Sequence, residues 1–324
     1  MKLNIHNSFL IVAALLLLTS CEVEFSPNAE YVETPVVYCV LDQDDDTSWV
    51  RVERCFLEDG NIYSYGSQSE LYTYPQGTLK VTFLAYRQGQ LVSTDVLTEI
   101  LRPRNDGEFD NSPLPVFYTV TPLDTTCMYK LEVRHVDNDS LIASTDSIPF
   151  ILQTETALIN TPTNNQRFRF VNGVCKISWN ALEHARRYQP FVRFYYGELG
   201  DTLHIDLFCN SVTTLSTEYG LQAFLNSVKT ALKDDPNPKE YLQYVDIYLT
   251  SCDENLNVYM SSVHSGTNLN QTTDTYTNIR GGVGIFAVRR THLYKNLLAD
   301  NSMNPIHTSA PGLYAYLHEL GVGF

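Results

Sequence analysis

Several short stretches carry residue types whose spacing suits chemistry. Asn278-Ile279-Arg280-Gly281-Gly282-Val283-Gly284 clusters glycines as phosphate cradles do. A dinucleotide site needs G-x-G-x-x-G between a strand and a helix, and a P-loop needs Gly-Lys-Ser/Thr. Neither follows here, because Ile285-Phe286-Ala287-Val288 reads on as a strand. The glycines are therefore expected to supply positive φ or a bulge at the entry to a late strand. Asp42-Gln43-Asp44-Asp45-Asp46 offers enough oxygens for calcium, but the sixth position of an EF-hand loop would be Thr47 rather than Gly. A solvated hairpin tip is expected rather than a calcium site. The eight histidines are scattered, with no second His after His318-Glu319 and no third partner for His204-x-Asp206. There is no G-x-S-x-G elbow. No metal, cofactor or catalytic residue is assigned. Tyr63, Tyr65, Tyr72 and Tyr74 crowd one loop region with Ser, Gly and Gln. Such rigid, amphipathic rings suit protein or sugar recognition, or else pack along an edge strand.

The elements that must hold these residues begin with an address. A single lysine, the apolar run from Phe9 to Leu18 and then Thr19-Ser20-Cys21 form a bacterial lipoprotein signal. Ten apolar residues are too few for a helix to span a bilayer, which takes roughly 20, but they suit a cleaved signal peptide. Residues 1–20 are read as signal peptide, Cys21 as the lipid anchor and 21–33 as a tether. Cleavage leaves 21 basic against 37 acidic residues, a formal charge of −16. That balance excludes a nucleic-acid footprint. It also means that attachment to membrane lipid comes through Cys21 rather than through a basic patch. Six cysteines remain beyond Cys21, without a CxxC. Folding the first hairpin about 42–47 sets Cys39 beside Val50, so no disulfide pair is assigned.

Beyond the tether the texture is β. Runs at 35–41, 49–54, 78–86, 90–94, 116–120, 128–133 and 141–145 make about seven short strands. Residues 34–152 are expected to form an immunoglobulin-like β-sandwich, with polar loops at 60–76 and 103–113. A second unit spans 155–324. Cys175, Ile177 and Trp179 share one strand face, and Trp179 is expected in the core. Ala185-Arg186-Arg187-Tyr188 leads into the next strand. These two motifs resemble fibronectin type III domains. Leu221, Phe224, Leu225, Val228 and Leu232 recur at helical spacing, which predicts a helical insertion near 219–234. Asp253 is expected to cap a further short helix. Leu320, Val322 and Phe324 alternate with Glu319, Gly321 and Gly323, and residues 315–324 are expected to form an edge strand or docked tail of the second unit, or an ordered contact for a partner protein. The fold class is thus mainly β, two sandwiches with a helical insertion in the second.

Glu33-Thr34-Pro35-Val36-Val37-Tyr38, Val50-Arg51-Val52 and the late Asn278-Ile279-x-Gly-Gly-x-Gly-Ile285-Phe286 occur in that order. Together they resemble a family of Bacteroidota outer-membrane lipoproteins defined by a domain without an assigned role. Genes of that family commonly neighbour TonB-dependent receptors. The acidic residues after Cys21 resemble the surface-export signal of such lipoproteins, with Val23 interrupting it. The resemblance implies a lipid-anchored outer-membrane or cell-surface binding protein, accessory to a TonB-dependent transporter or its ligand, and no catalytic residues. The competing expectations are a surface glycan or peptide hydrolase, which needs convergent acids, bases or a metal, and a structural or adhesive subunit, which needs self-assembly.

Overall fold

The computed structural model describes residues 30–58, 65–66, 68–103, 112–153, 159–160, 168, 170, 172–232, 237–265, 276–298, 317 and 322–323. Cys21 and Tyr63 lie outside the described residues, as does most of the C-terminal stretch. The protein is mainly β, with several sheets.

In the first half, β1 (Pro35–Asp42) and β2 (Ser48–Arg54) form the expected hairpin, with Tyr38 opposite Arg51. A four-residue helix, α1 (Ser69–Tyr72), precedes β3 (Leu79–Arg87), β4 (Gln90–Val96), β5 (Thr98–Arg102), β6 (Leu114–Thr119), β7 (Met128–His135) and β8 (Leu141–Thr145). The sequence pattern missed β5, which pairs along its whole length with β6. In the second half, β9 (Ile159–Asn160), β10 (Val174–Trp179), β11 (Arg187–Glu198), β12 (Asp201–Phe208) and β13 (Ser216–Gly220) lead into α2 (Leu221–Ala231). Then come β14 (Lys239–Cys252), α3 (Glu254–Ser265), β15 (Ile279–Arg280), β16 (Val283–Leu298) and β17 (Val322–Gly323).

Three sheets result. The largest runs β12-β11-β14-β16-β1-β2-β6-β5, with β17 beside β14. A second is β15-β8-β7-β3-β4, and a third is β13-β10-β9. The pairing of β17 with Lys239 and Glu240 of β14 docks Val322–Gly323 on the sheet, as the alternation near the C-terminus anticipates. The stretch from Ile279 to Val288 falls within the second unit by sequence, yet it pairs with strands of the first. β15 lies antiparallel to β8, and β16 lies parallel to β1 from Val36↔Val283 to Asp42↔Arg289. Both halves therefore share one continuous sheet.

The glycine motif makes this crossover possible. Gly281 and Gly284 have φ of +78° and +120°. A Cβ on Gly284 would lie 2.0 Å from the Val37 carbonyl oxygen, and one on Gly282 would lie 2.5 Å from that of Pro35. The Asn278 amide completes the turn, donating to the Phe286 carbonyl at 2.7 Å and accepting the Phe286 N–H at 2.9 Å. The chain can thus leave the second sheet and enter the first within three residues.

The core follows the alternation of the strands. Val37, Cys39 and Leu41 of β1 share one core with Val81, Phe83 and Leu131 of the second sheet, and Phe286 lies 6.3 Å from Phe83 between ring centroids. Trp179 is 3% exposed and lies 5.4 Å from Tyr188 between ring centroids, so the two residues meet in one core. Helix α2 buries Phe224 and Val228, and Phe224 meets Phe194 edge-on at 5.7 Å. Asp253 caps α3 as expected, its Oδ1 accepting the Leu256 N–H at 3.0 Å. Cys39, Cys127, Cys209 and Cys252 are buried free thiols, Cys175 is buried, and Cys55 is exposed and free.

Candidate functional site

The stretches with chemical promise are mostly absorbed by structure. Asp42 accepts from the Arg289 Nε at 2.7 Å, and Asp44 accepts the Thr291 N–H at 2.6 Å, which braces the acidic turn against β16. Gln43 exchanges two hydrogen bonds with the Ile151 backbone. Asp206 takes a bidentate contact from Arg193 at 2.7 and 2.8 Å, which commits its carboxylate to an ion pair within the β11–β12 hairpin. These contacts lower the Asp206 pKa. Among the described residues no cluster of three His, Cys, Asp or Glu side chains suits a metal ion. Among them, too, no helix is long and apolar enough to cross a membrane.

The expected tyrosine cluster divides. Tyr65 and Tyr72 flank Phe56 at centroid distances of 6.2 and 6.4 Å, and the Tyr72 hydroxyl reaches the Gly66 carbonyl at 3.4 Å. Tyr74 goes elsewhere. It is 6% exposed and helps to line a cleft of about 510 Å³.

Four separate segments build that cleft. The tether gives Tyr31 and Glu33, the end of β2 gives Arg54, the approach to β3 gives Tyr74 and Thr78, and the end of β7 with its following turn gives His135, Val136 and Asp137. The Tyr31 hydroxyl donates to the Cys55 carbonyl at 3.1 Å, and the Cys55 N–H donates to the Thr34 carbonyl at 2.9 Å. These bonds fix the tether against the end of β2. His135 Nε2 lies 3.1 and 3.2 Å from the two Glu33 oxygens, holding that carboxylate at the cleft wall. Arg54 sends Nε and Nη2 to the Leu71 and Glu70 carbonyls at 3.1 and 2.7 Å. Its guanidinium stands 5.7 Å from the Tyr74 ring centroid, while the His135 ring meets the same ring at a 67° angle and 6.2 Å. The buried Tyr74 hydroxyl is directed at the Glu33 carboxylate. Burial, together with the Glu33 carboxylate nearby, raises its pKa, so it remains an O–H donor.

Sequence reasoning found one member of this site, Tyr74, and missed Tyr31, Glu33, Arg54 and His135. These residues come from positions up to about a hundred apart, and no spacing signals their meeting.

No family model matches the chain. No curated protein matches it either. Among solved structures, it is similar to the crystal structure of chicken CNTN1 FN1-FN3 domains at 9% identity, with a TM-score of 0.26. The match covers 82% of this chain and spans 66% of the length of that one.

Proposed function

We propose that this protein is a lipid-anchored binding protein of the outer membrane or cell surface, accessory to a TonB-dependent transporter or its ligand, with the cleft as its recognition site. The observation that carries the reading is the position of the cleft. Tyr31 and Glu33 line it, and Tyr31 follows Cys21 by only ten residues. A fully extended chain of that length spans about 33–36 Å. With Cys21 lipidated, the cleft therefore opens within that distance of the bilayer, where a membrane-embedded partner is in reach. Its rim exposes Tyr31, Val32 and Val136 at 47%, 73% and 57%, apolar surface of the kind that interfaces use.

The two-sandwich architecture belongs to the same proposal. The division of the second half's strands between β13-β10-β9 and β12-β11-β14-β16 supports a fibronectin type III-like second unit, with α2 inserted between β13 and β14. The eight strands of the first half, divided between two sheets, support an immunoglobulin-like first unit. The test is affinity capture of the tagged lipoprotein from native membranes. Co-purification of a TonB-dependent transporter supports the reading. A chain that returns alone overturns it, and one that assembles only with itself overturns it in favour of the adhesive alternative.

A further inference from the structure

The cleft's charges define what it can hold. Glu33 and Asp137 place two carboxylates on its walls against one guanidinium, that of Arg54. Arg54 is drawn toward the 70–71 turn by its bonds to two carbonyls. An anionic ligand would meet two carboxylates of its own sign, in a chain whose formal net charge is already −15. At Tyr74, Arg54 occupies one approach and the His135 ring another, so that residue offers a ligand its hydroxyl rather than its ring face. What remains available is a pair of carboxylates, the exposed Tyr31 ring and the Tyr74 hydroxyl beside Glu33, whose oxygen can accept a hydrogen bond. Those groups match an ammonium ion. The carboxylates neutralise it, oxygen atoms take its three N–H donors, and a tyrosine face receives the methylenes beside it.

We propose that the cleft seats the ammonium group of a lysine side chain presented by a partner polypeptide. This deepens the binding reading of the same cleft and rests on it. The His135 contact holds the Glu33 carboxylate facing the cleft, so its oxygens are in place before the ligand arrives. The cleft volume of about 510 Å³ has room for a lysine side chain and the backbone around it.

The test uses the full mature lipoprotein in non-ionic detergent, titrated calorimetrically with Nα-acetyl-lysine-N-methylamide. Saturable binding is expected, weakened at least about tenfold when the probe's ammonium is acetylated, since a charge-assisted contact is lost. Glu33→Gln and Asp137→Asn should each weaken binding by about tenfold. Asp137 lies on an exposed turn, so its variant keeps the test valid if Glu33→Gln fails to fold. Absence of saturable binding, equal binding of the acetylated probe, or no effect of Asp137→Asn overturns the proposal. Binding of cadaverine without binding of the lysine derivative assigns the cleft to free polyamines and overturns the lysine source. Loss of transporter capture with lysine binding intact supports this proposal and overturns only the transporter role.

Discussion

Replacing Gly284 by alanine should unfasten the two halves of the molecule. The new Cβ would lie 2.0 Å from the Val37 carbonyl oxygen, 2.8 Å from its carbon and 3.0 Å from its nitrogen. All three are backbone atoms of β1, so no side chain can swing aside. Bringing the closest contact to about 3 Å requires β1 and β16 to separate locally by about 1 Å, which breaks two or three ladder hydrogen bonds at about 1 kcal/mol each. The φ of +120° adds strain of about 1–3 kcal/mol. Together these give a loss of roughly 3–6 kcal/mol. Gly89 supplies the control. It too has positive φ, +80°, but its Cβ would meet nothing within 4 Å, so Gly89→Ala should cost only about 1–2 kcal/mol. Urea unfolding followed by tryptophan fluorescence compares the two. With an m-value of about 3 kcal/mol/M, Gly284→Ala should lower the midpoint by about 1–2 M. Equal midpoints for the two variants would refute the crossover argument.

Three further outcomes follow from particular contacts. Trp179→Ala empties a site 3% exposed beside Tyr188 and should cost about 3–5 kcal/mol; an unchanged melting temperature would put Trp179 outside the core. Cys21→Ser should abolish incorporation of labelled palmitate and leave the precursor uncleaved; label retained on the mutant would move the anchor elsewhere. Asp124 is held at a pKa of about 2 by hydrogen bonds from Thr126 and by Arg87. Its folded-state pKa lies below the ordinary value, so its contribution is complete above about pH 4 and disappears as pH falls toward 2. Acid titration of Asp124→Asn should therefore lose part of the wild-type decline in that window, and an unaltered acid limb would contradict the assignment.

The sequence was legible where structure is local. A continuous apolar run at 35–41 and alternation at 49–54 marked β1 and β2, and apolar spacing at 221–232 marked α2; the run implied cover on both faces of β1, whereas only one face is fully buried. Asp253 and the glycines of 281–284 were legible through backbone chemistry alone. Strand partners were not. The parallel pairing of β1 with β16 joins residues 247 apart, and hydropathy shows which face is buried but not which strand lies beside it. β5 was missed because Thr98-Glu99-Ile100-Leu101-Arg102 carries charge and stays largely exposed on an edge. The tyrosine-rich loop pointed toward the cleft through Tyr74 alone. Glu33 and His135, which meet across 102 residues, carry no local pattern that announces a site.

The central claim, that the membrane-proximal cleft receives a partner in the outer membrane, is tested most directly by photo-crosslinking in whole cells. A photoreactive amino acid at Tyr31 is compared with one at Lys229, an exposed position on α2. The account predicts a specific adduct between the Tyr31 probe and a TonB-dependent transporter, absent from the Lys229 probe and lost with Asp137→Asn. Adducts of equal yield from both positions, or a Tyr31 probe that reacts only with other copies of this chain, would contradict it.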